Sequence, residues 1–415
     1  MRNKQTFYTI LLICWSCCGF TFLSVSGLAQ SYENENRRRE NFGASLNKIA
    51  RQKIEKPKKD KTESKTQNIA NAPDDEIIRV ETTLIVNDVQ VSDKEGNPVK
   101  NLKKEDFIVK EDDELQEIEV FSRGDGETIP RSIVLLIDYS GSQLPYIETS
   151  VEAAKVLVDQ LNSTDRMAIV TDNVELVQDF TGDKTLLKAN LETLKKNALS
   201  GTLGRSRQYS ALMAVLNEMF DPTILRPIII FQTDGDELVH LKKTVDNQKR
   251  GNLEFSFEDV LTATKKTRAT IYTIIPGPSF IAISKDEQLK RAKTIFENNI
   301  KAFDEMRNTV FEPDKIKVKE KFLKLIAEVC RRQQWAIAEI AKFTGGKTDY
   351  LEQPEQADKV YSAILSEINL RYIIGYYPTN QARNGKKREV KTEVRGHPEY
   401  SIWGRRAYIP AEAKK

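Results

Sequence analysis

The chain has 415 residues, 39% hydrophobic and 30% charged, with 64 Lys+Arg against 61 Asp+Glu and a net charge of +3. A length of this order allows roughly two or three domains, the modest apolar share leaves part of the chain outside any core, and near-neutrality supplies no basic field to hold nucleic acid. With two histidines only, His240 and His397, His-rich zinc sites and most imidazole acid–base chemistry fall away.

Residues 1–29 read as a cleaved signal peptide. Arg2 and Lys4 precede an apolar stretch over 9–25, and Gly27-Leu28-Ala29 closes it with small residues at the two positions a signal peptidase reads. The alternative is an uncleaved anchor, since the apolar stretch nearly spans a bilayer. The chain is therefore expected outside the cytoplasm: periplasmic, in the cell envelope or extracellular. Cys14, Cys17 and Cys18 lie in this segment, so the mature chain keeps Cys330 alone and forms no intramolecular disulfide.

Residues 30–76 read as a disordered basic linker. Arg37-Arg38-Arg39 and the run Lys56-Pro57-Lys58-Lys59 carry too little apolar surface to offset the entropy of ordering. Its bland role is a solvated spacer; its functional one is association with an anionic envelope surface.

From residue 77 to 123 the period is two. Val80, Thr82, Leu84 and Val86 alternate, Asp93–Pro98 is a turn cluster, and Phe107, Val109, Ile118 and Val120 mark further short strands. The spacing predicts a small sandwich-like β domain. Between 131 and 370 the pattern is α/β. Ile133–Ile137 and Pro227–Phe231 are continuous apolar runs, as in strands buried on both faces, and amphipathic helices fall between them. This predicts a Rossmann-like open sheet with helices on both faces. A charged, helical stretch at about 284–320 interrupts the alternation as an insertion. In 371–410 three strands follow, to extend the α/β sheet or to pack back on the leading β domain, with Asn384-Gly385 as a hairpin turn.

Two strand ends carry chemistry. Asp138-Tyr139-Ser140-Gly141-Ser142 follows the first apolar strand, and Thr233-Asp234-Gly235 follows the second. Ligands of open α/β sheets bind outside such carboxyl ends. Carboxylates and hydroxyls converging there are hard oxygen ligands, suited to Mg²⁺, Mn²⁺ or Ca²⁺ and not to Zn²⁺. Ser210, at the predicted start of a helix over 210–220, is both a good N-cap and a candidate hydroxyl ligand.

The Asp-x-Ser-x-Ser motif at 138–142, with Asp234-Gly235 at the later strand end, resembles the metal-ion-dependent adhesion site of von Willebrand factor type A domains. The resemblance implies that Ser140 and Ser142 bind the ion directly and that Asp138 and Asp234 act mainly through coordinated water. Where that family carries a Thr in its third loop, Ser210 matches best here and Thr202 second. A carboxylate from a bound protein partner would complete the coordination. Val91-Ser92-Asp93, Gly96-Asn97-Pro98-Val99, Glu105-Asp106-Phe107, Thr344-Gly345-Gly346 and the tail around Tyr372–Tyr377 resemble a secreted bacterial von Willebrand factor A-related group first defined on acidobacterial proteins. Asp113 departs from it, standing where a Gly usually turns the chain.

The expectation is a divalent-cation-dependent protein-binding module without enzymatic activity. The alternative is a structural envelope scaffold whose metal site does not function. A hydrolase using a metal-activated water is a third reading, disfavoured because no base of the right type stands near the motif.

Overall fold

A computed structural model describes residues 37–54, 84–123, 129–221, 224, 226–235, 255–306, 318–382 and 384–410. The predicted signal segment lies outside the described residues. The chain divides into residues 1–42 and a second compact unit, 43–415. All that follows concerns the second.

It opens with helix α1 (Ala44–Ile54), then strands β1 (Ile85–Ser92), β2 (Phe107–Glu111), β3 (Glu114–Gln116) and β4 (Ile118–Arg123). The α/β part runs β5 (Arg131–Ile137), α2 (Ile147–Asp159), β6 (Arg166–Thr171), β7 (Glu175–Thr181), α3 (Lys184–Leu199), α4 (Gln208–Glu218), β8 (Arg226–Gln232), α5 (Phe257–Thr264), β9 (Thr270–Pro276), α6 (Lys285–Met306), α7 (Glu320–Phe343), β10 (Thr348–Leu351) and α8 (Ala357–Asn369). Strands β11 (Tyr372–Tyr376), β12 (Arg388–Val394), β13 (Ser401–Trp403) and β14 (Ala407–Tyr408) end it.

The central sheet is six-stranded, in the order β10-β9-β8-β5-β6-β7. Only the β6–β7 pair is antiparallel. In chain order this is the doubly wound arrangement whose direction reverses between its first and fourth strands. Here those strands are β5 and β8, paired in register from Arg131↔Arg226 to Ile137↔Gln232. Their apolar runs are sequestered on both faces, with Ile133, Ile137, Ile228 and Ile230 at 0% exposure. Burying each such side chain is worth about 1.5–3 kcal/mol. Helix starts are set locally: Asp183 caps α3 by accepting from the Thr185 and Leu186 amides, and Ser256 and Asp259 form a reciprocal capping box on α5.

The leading strands and the tail build one sandwich together. Its sheets are β13-β1-β11-β4 and β14-β12-β2-β3, each four-stranded. The tail therefore packs back on the leading strands and does not extend the central sheet. Val89, Val91, Phe107, Val109, Tyr372 and Tyr376 share its core. A buried cluster ties the two segments: the Glu111 carboxylate accepts from Arg388 at 2.9 Å, the Tyr376 hydroxyl at 2.9 Å and the Tyr408 hydroxyl at 2.8 Å. The β2–β3 turn places Asp112 and Asp113 at φ 49° and 68°, so two aspartates take the left-handed positions that usually favour glycine or asparagine.

The sandwich meets the α/β part at the amino-terminal ends of the central strands. Asp88 of β1 pairs with Arg226 at 3.3 Å, and Arg371 donates to the Asp88 carbonyl at 3.2 Å. Arg405 donates to the Ala269 carbonyl at 2.8 Å, and the Trp403 indole to Gly346 O at 3.0 Å.

Two expectations are corrected. Residues 44–54, placed in a disordered linker by composition, form α1, with Leu46 at 2% exposure. The partner that orders them, Glu218, is distant in sequence. The helix expected to start at Ser210 starts at Gln208 with Arg207 at its cap, which puts Ser210 in the first turn instead of at the N-cap. Of the charged stretch, Lys285–Met306 folds as helix α6 and residues 307–317 lie outside the described residues; Cys330 is half-buried against the Phe280–Ala292–Ala327 cluster.

Candidate metal centre

Three loops meet at the carboxyl ends of β5 and β8. The backbone fixes the first pair: the Asp138 amide donates to the Gln232 carbonyl at 3.0 Å, carrying the β5–β8 register one residue past the strands. Asp138 is then turned inward, 1% exposed. Its Oδ1 accepts from the Ser140 amide at 2.9 Å; its Oδ2 accepts from Thr233 Oγ1 at 3.0 Å and from Gln208 Nε2 at 2.6 Å. One carboxylate thus joins the loops after β5 and β8 to the start of α4. Both its oxygens are engaged by protein donors, so its charge acts on the site from behind.

The front is made of hydroxyls. Ser140 Oγ and Ser142 Oγ stand 3.2 Å apart. Asp234, half-buried, accepts from Gln143 Nε2 at 2.8 Å, and the same amide lies 3.4 Å from Ser142 Oγ. Behind the first loop, Asp172 accepts from the Tyr139 amide at 3.3 Å and from the Ser206 amide at 2.8 Å.

The electrostatics favour a cation. Burial raises the Asp138 carboxyl well above its ordinary 3.8, and the charges of Asp234 and Asp172 raise it further. Burial also raises Asp172. Asp138 thus carries the cost of burial and of two neighbouring carboxylates together. Two amide oxygens, Gln143 Oε1 and Gln208 Oε1, are buried there without a hydrogen-bond partner, an arrangement that costs stability unless something accepts their lone pairs. A hard divalent cation fits this donor set. Among the described residues no cluster of three or more His, Cys, Asp or Glu side chains is spaced to hold a metal; the oxygens here are hydroxyls with carboxylates beside and behind them.

Of the predicted residues, Asp138, Ser140, Ser142 and Asp234 come together through this network. Ser210 is buried in the first turn of α4, 1% exposed, and it is Gln208 of that turn that reaches Asp138. Thr202 is exposed at the end of α3, its amide bonded to the Asn197 carbonyl. Sequence reasoning missed Gln143, Gln208 and Asp172. No spacing rule marks a glutamine, and Asp172 is found only by noticing a third acidic strand end, after β6. His240 lies outside the described residues, and His397 is in the sandwich, beside Glu399.

The strand order, with its reversal between β5 and β8, and the acidic ends of those two strands define the class: a Rossmann-like, doubly wound α/β domain with a polar cluster at its switch point. No protein-family model matches the chain, and no curated protein does. Similar solved structures include the conserved hypothetical protein BatB from Bacteroides thetaiotaomicron, at 17% identity over 58% of this chain and 98% of that one, with a TM-score of 0.34. The vWF domain of the type V pili tip protein Mfa5 from Porphyromonas gingivalis shows 12% identity over 59% and 97% of the respective chains, TM-score 0.34. A von Willebrand factor type A protein from Catenulispora acidiphila shows 11% identity over 81% and 76%, TM-score 0.34.

Proposed function

We propose that this chain is exported and binds a divalent cation, Mg²⁺ or its hard relatives Mn²⁺ and Ca²⁺, to capture an acidic side chain of a protein partner. The observation that carries this reading is the convergence of Ser140 Oγ and Ser142 Oγ, 3.2 Å apart, in front of the buried Asp138 at the point where the sheet reverses. The serines would hold the ion as neutral ligands, with Asp138 and Asp234 beside them and Ser210 supporting from α4. Neutral ligands leave the ion most of its charge, and that charge is what an incoming carboxylate would bind.

Binding is favoured over catalysis. Asp138, the buried acid of the site, has both oxygens committed to protein donors and is poorly placed to take a proton from water. Export rests on the charge pattern and small-residue exit of residues 1–29.

The test is calorimetric titration of Mg²⁺ and Mn²⁺ into chelator-stripped protein beside Asp138→Ala. One saturable site, lost in the variant, is expected. A folded protein that takes up neither ion would overturn the reading. A structural scaffold would then stand in its place, and one observation favours it: the Gln143 and Gln208 amides already brace Asp234 and Asp138, so these loops can hold their shape without an ion.

A further inference from the structure

The β6–β7 turn stands between the metal centre and the N-terminal helix, and it is strained. Val174 takes φ 63°, a conformation that is a genuine outlier for a β-branched residue and persists only where the surroundings enforce it. The two residues before it grip both neighbouring loops. Asp172 accepts from the Tyr139 and Ser206 amides. Asn173 donates to the Tyr139 hydroxyl at 2.7 Å and accepts from the Arg205 amide at 2.9 Å. Gly204 lies so close that a Cβ there would overlap the Asp172 carboxylate. A shift of this turn therefore moves Tyr139, the neighbour of both Asp138 and Ser140, together with the loop entering α4.

The other side of the turn is covered by the start of α1. A Cβ on Gly43 would fall 2.9 Å from Val174 Cγ1, and Gly43 has φ 89°, so glycine alone lets the chain pass there. Glu218, the last residue of α4, holds this helix end: its carboxylate accepts from the Gly43 amide at 2.8 Å, the Ser45 amide at 2.9 Å and the Ser45 hydroxyl. A carboxylate on the first-turn amides of a helix satisfies its orphan donors and its dipole together. Leu46 supplies the apolar anchor. At 11 residues, α1 is too short to persist alone; undocking and melting are one event, which makes the element two-state.

We propose that α1 is a latch on the metal centre: docked, it clamps the strained β6–β7 turn and, through Asp172 and Asn173, holds the two ligand loops in their binding geometry; undocked, it releases them and cation affinity falls. The affinity arm rests on the metal reading above. The loop-clamping arm does not.

The experiment compares the full chain with Leu46→Asp and with the milder Glu218→Gln. Hydrogen exchange is followed in the chelator-stripped protein, and Mn²⁺ uptake by calorimetry. In Leu46→Asp the amides of α1 should lose protection, and those of Tyr139 and Ser206 should exchange about tenfold faster or more while the central strands stay protected. Mn²⁺ affinity should fall about fivefold or more, the size of a typical coupling between sites. Glu218→Gln should move both readouts the same way by less. Loss of protection in α1 with unchanged Tyr139 and Ser206 exchange would overturn the latch, as would an α1 that stays protected in Leu46→Asp. If the unaltered protein takes up no Mn²⁺, the metal reading fails, and the exchange arm alone decides the latch.

Discussion

Removing Glu111 tests whether the leading strands and the tail form one cooperative sandwich. Glu111 lies on β2; its three partners, Arg388, Tyr376 and Tyr408, all belong to the tail. The ion pair is dry, with side-chain exposures of 4% for Arg388 and 1% for Glu111. In Glu111→Ala the guanidinium is left buried without its counter-charge, which costs about 3–5 kcal/mol. The two phenols lose an acceptor, at about 1 kcal/mol each. Tyr408 still lies 3.3 Å from Arg388, and Arg388 keeps the Asn380 carbonyl, so these costs overlap. The expected loss is about 4 kcal/mol. Urea unfolding followed by far-ultraviolet dichroism and by tryptophan fluorescence measures it, since Trp403 reports on the sandwich directly. A loss below about 1 kcal/mol would refute the argument, because a buried charge cannot lose its partner so cheaply.

Further outcomes follow from the same structure. Because burial raises the Asp138 carboxyl above its ordinary 3.8, the folded state holds a proton that the unfolded chain has lost; metal-free stability should fall as pH rises from 3.8 through the raised value, and cation affinity should climb over the same interval. Asp138→Asn should weaken both trends in thermal melts and titrations, leaving the share that the raised Asp172 carboxyl contributes, and rotation of the Gln208 amide can bring its unpartnered Oε1 onto the new amide donor. Asp113→Gly, at φ 68°, should stabilise the β2–β3 turn by about 0.5–1 kcal/mol in urea unfolding. Asp88→Ala should cost about 3 kcal/mol or more by stranding the buried Arg226, and should loosen the sandwich from the α/β part in hydrogen exchange.

The α/β sheet was legible because its central strands are unlike anything else in the chain. Runs such as Ile133–Ile137 can be covered only on both faces, and that burial forces helices to either side. The acidic motifs at the ends of those strands were legible for the same reason, since strand ends mark where ligands sit. What was hidden depends on distant partners. The alternation read over Val80–Val86 meets β1 only at Ile85 and Val86, and the core side of β1 is Ile85, Val89 and Val91, the opposite parity, because the pairing with β11 and β13 that sets its register comes from the far end of the chain. The polar helix α1 has a weak apolar face, and its decisive contact is a glutamate at position 218. The bracing glutamines, Gln143 and Gln208, are ordinary residues until the loops that carry them are folded together.

Strands β4 and β11 are antiparallel neighbours, and Arg123, the last residue of one, pairs with Tyr372, the first of the other. The whole α/β part, residues 124–371, therefore occupies the position of the connection in a β-hairpin. Such a connection closes cheaply only after it has collapsed, because an unstructured loop of that length pays an entropy that grows with the logarithm of its size. Assembly should thus run inside out, with the inserted part folding first and presenting Arg131 and Asn369, 2.6 Å apart between guanidinium and amide oxygen, as the two feet between which the hairpin closes. The same geometry leaves the sandwich's strand order independent of the insertion: a chain joining Arg123 to Tyr372 through a two-residue Asn-Gly turn keeps every strand, while giving up the contacts that Asp88, Trp403 and Arg405 make to the α/β part.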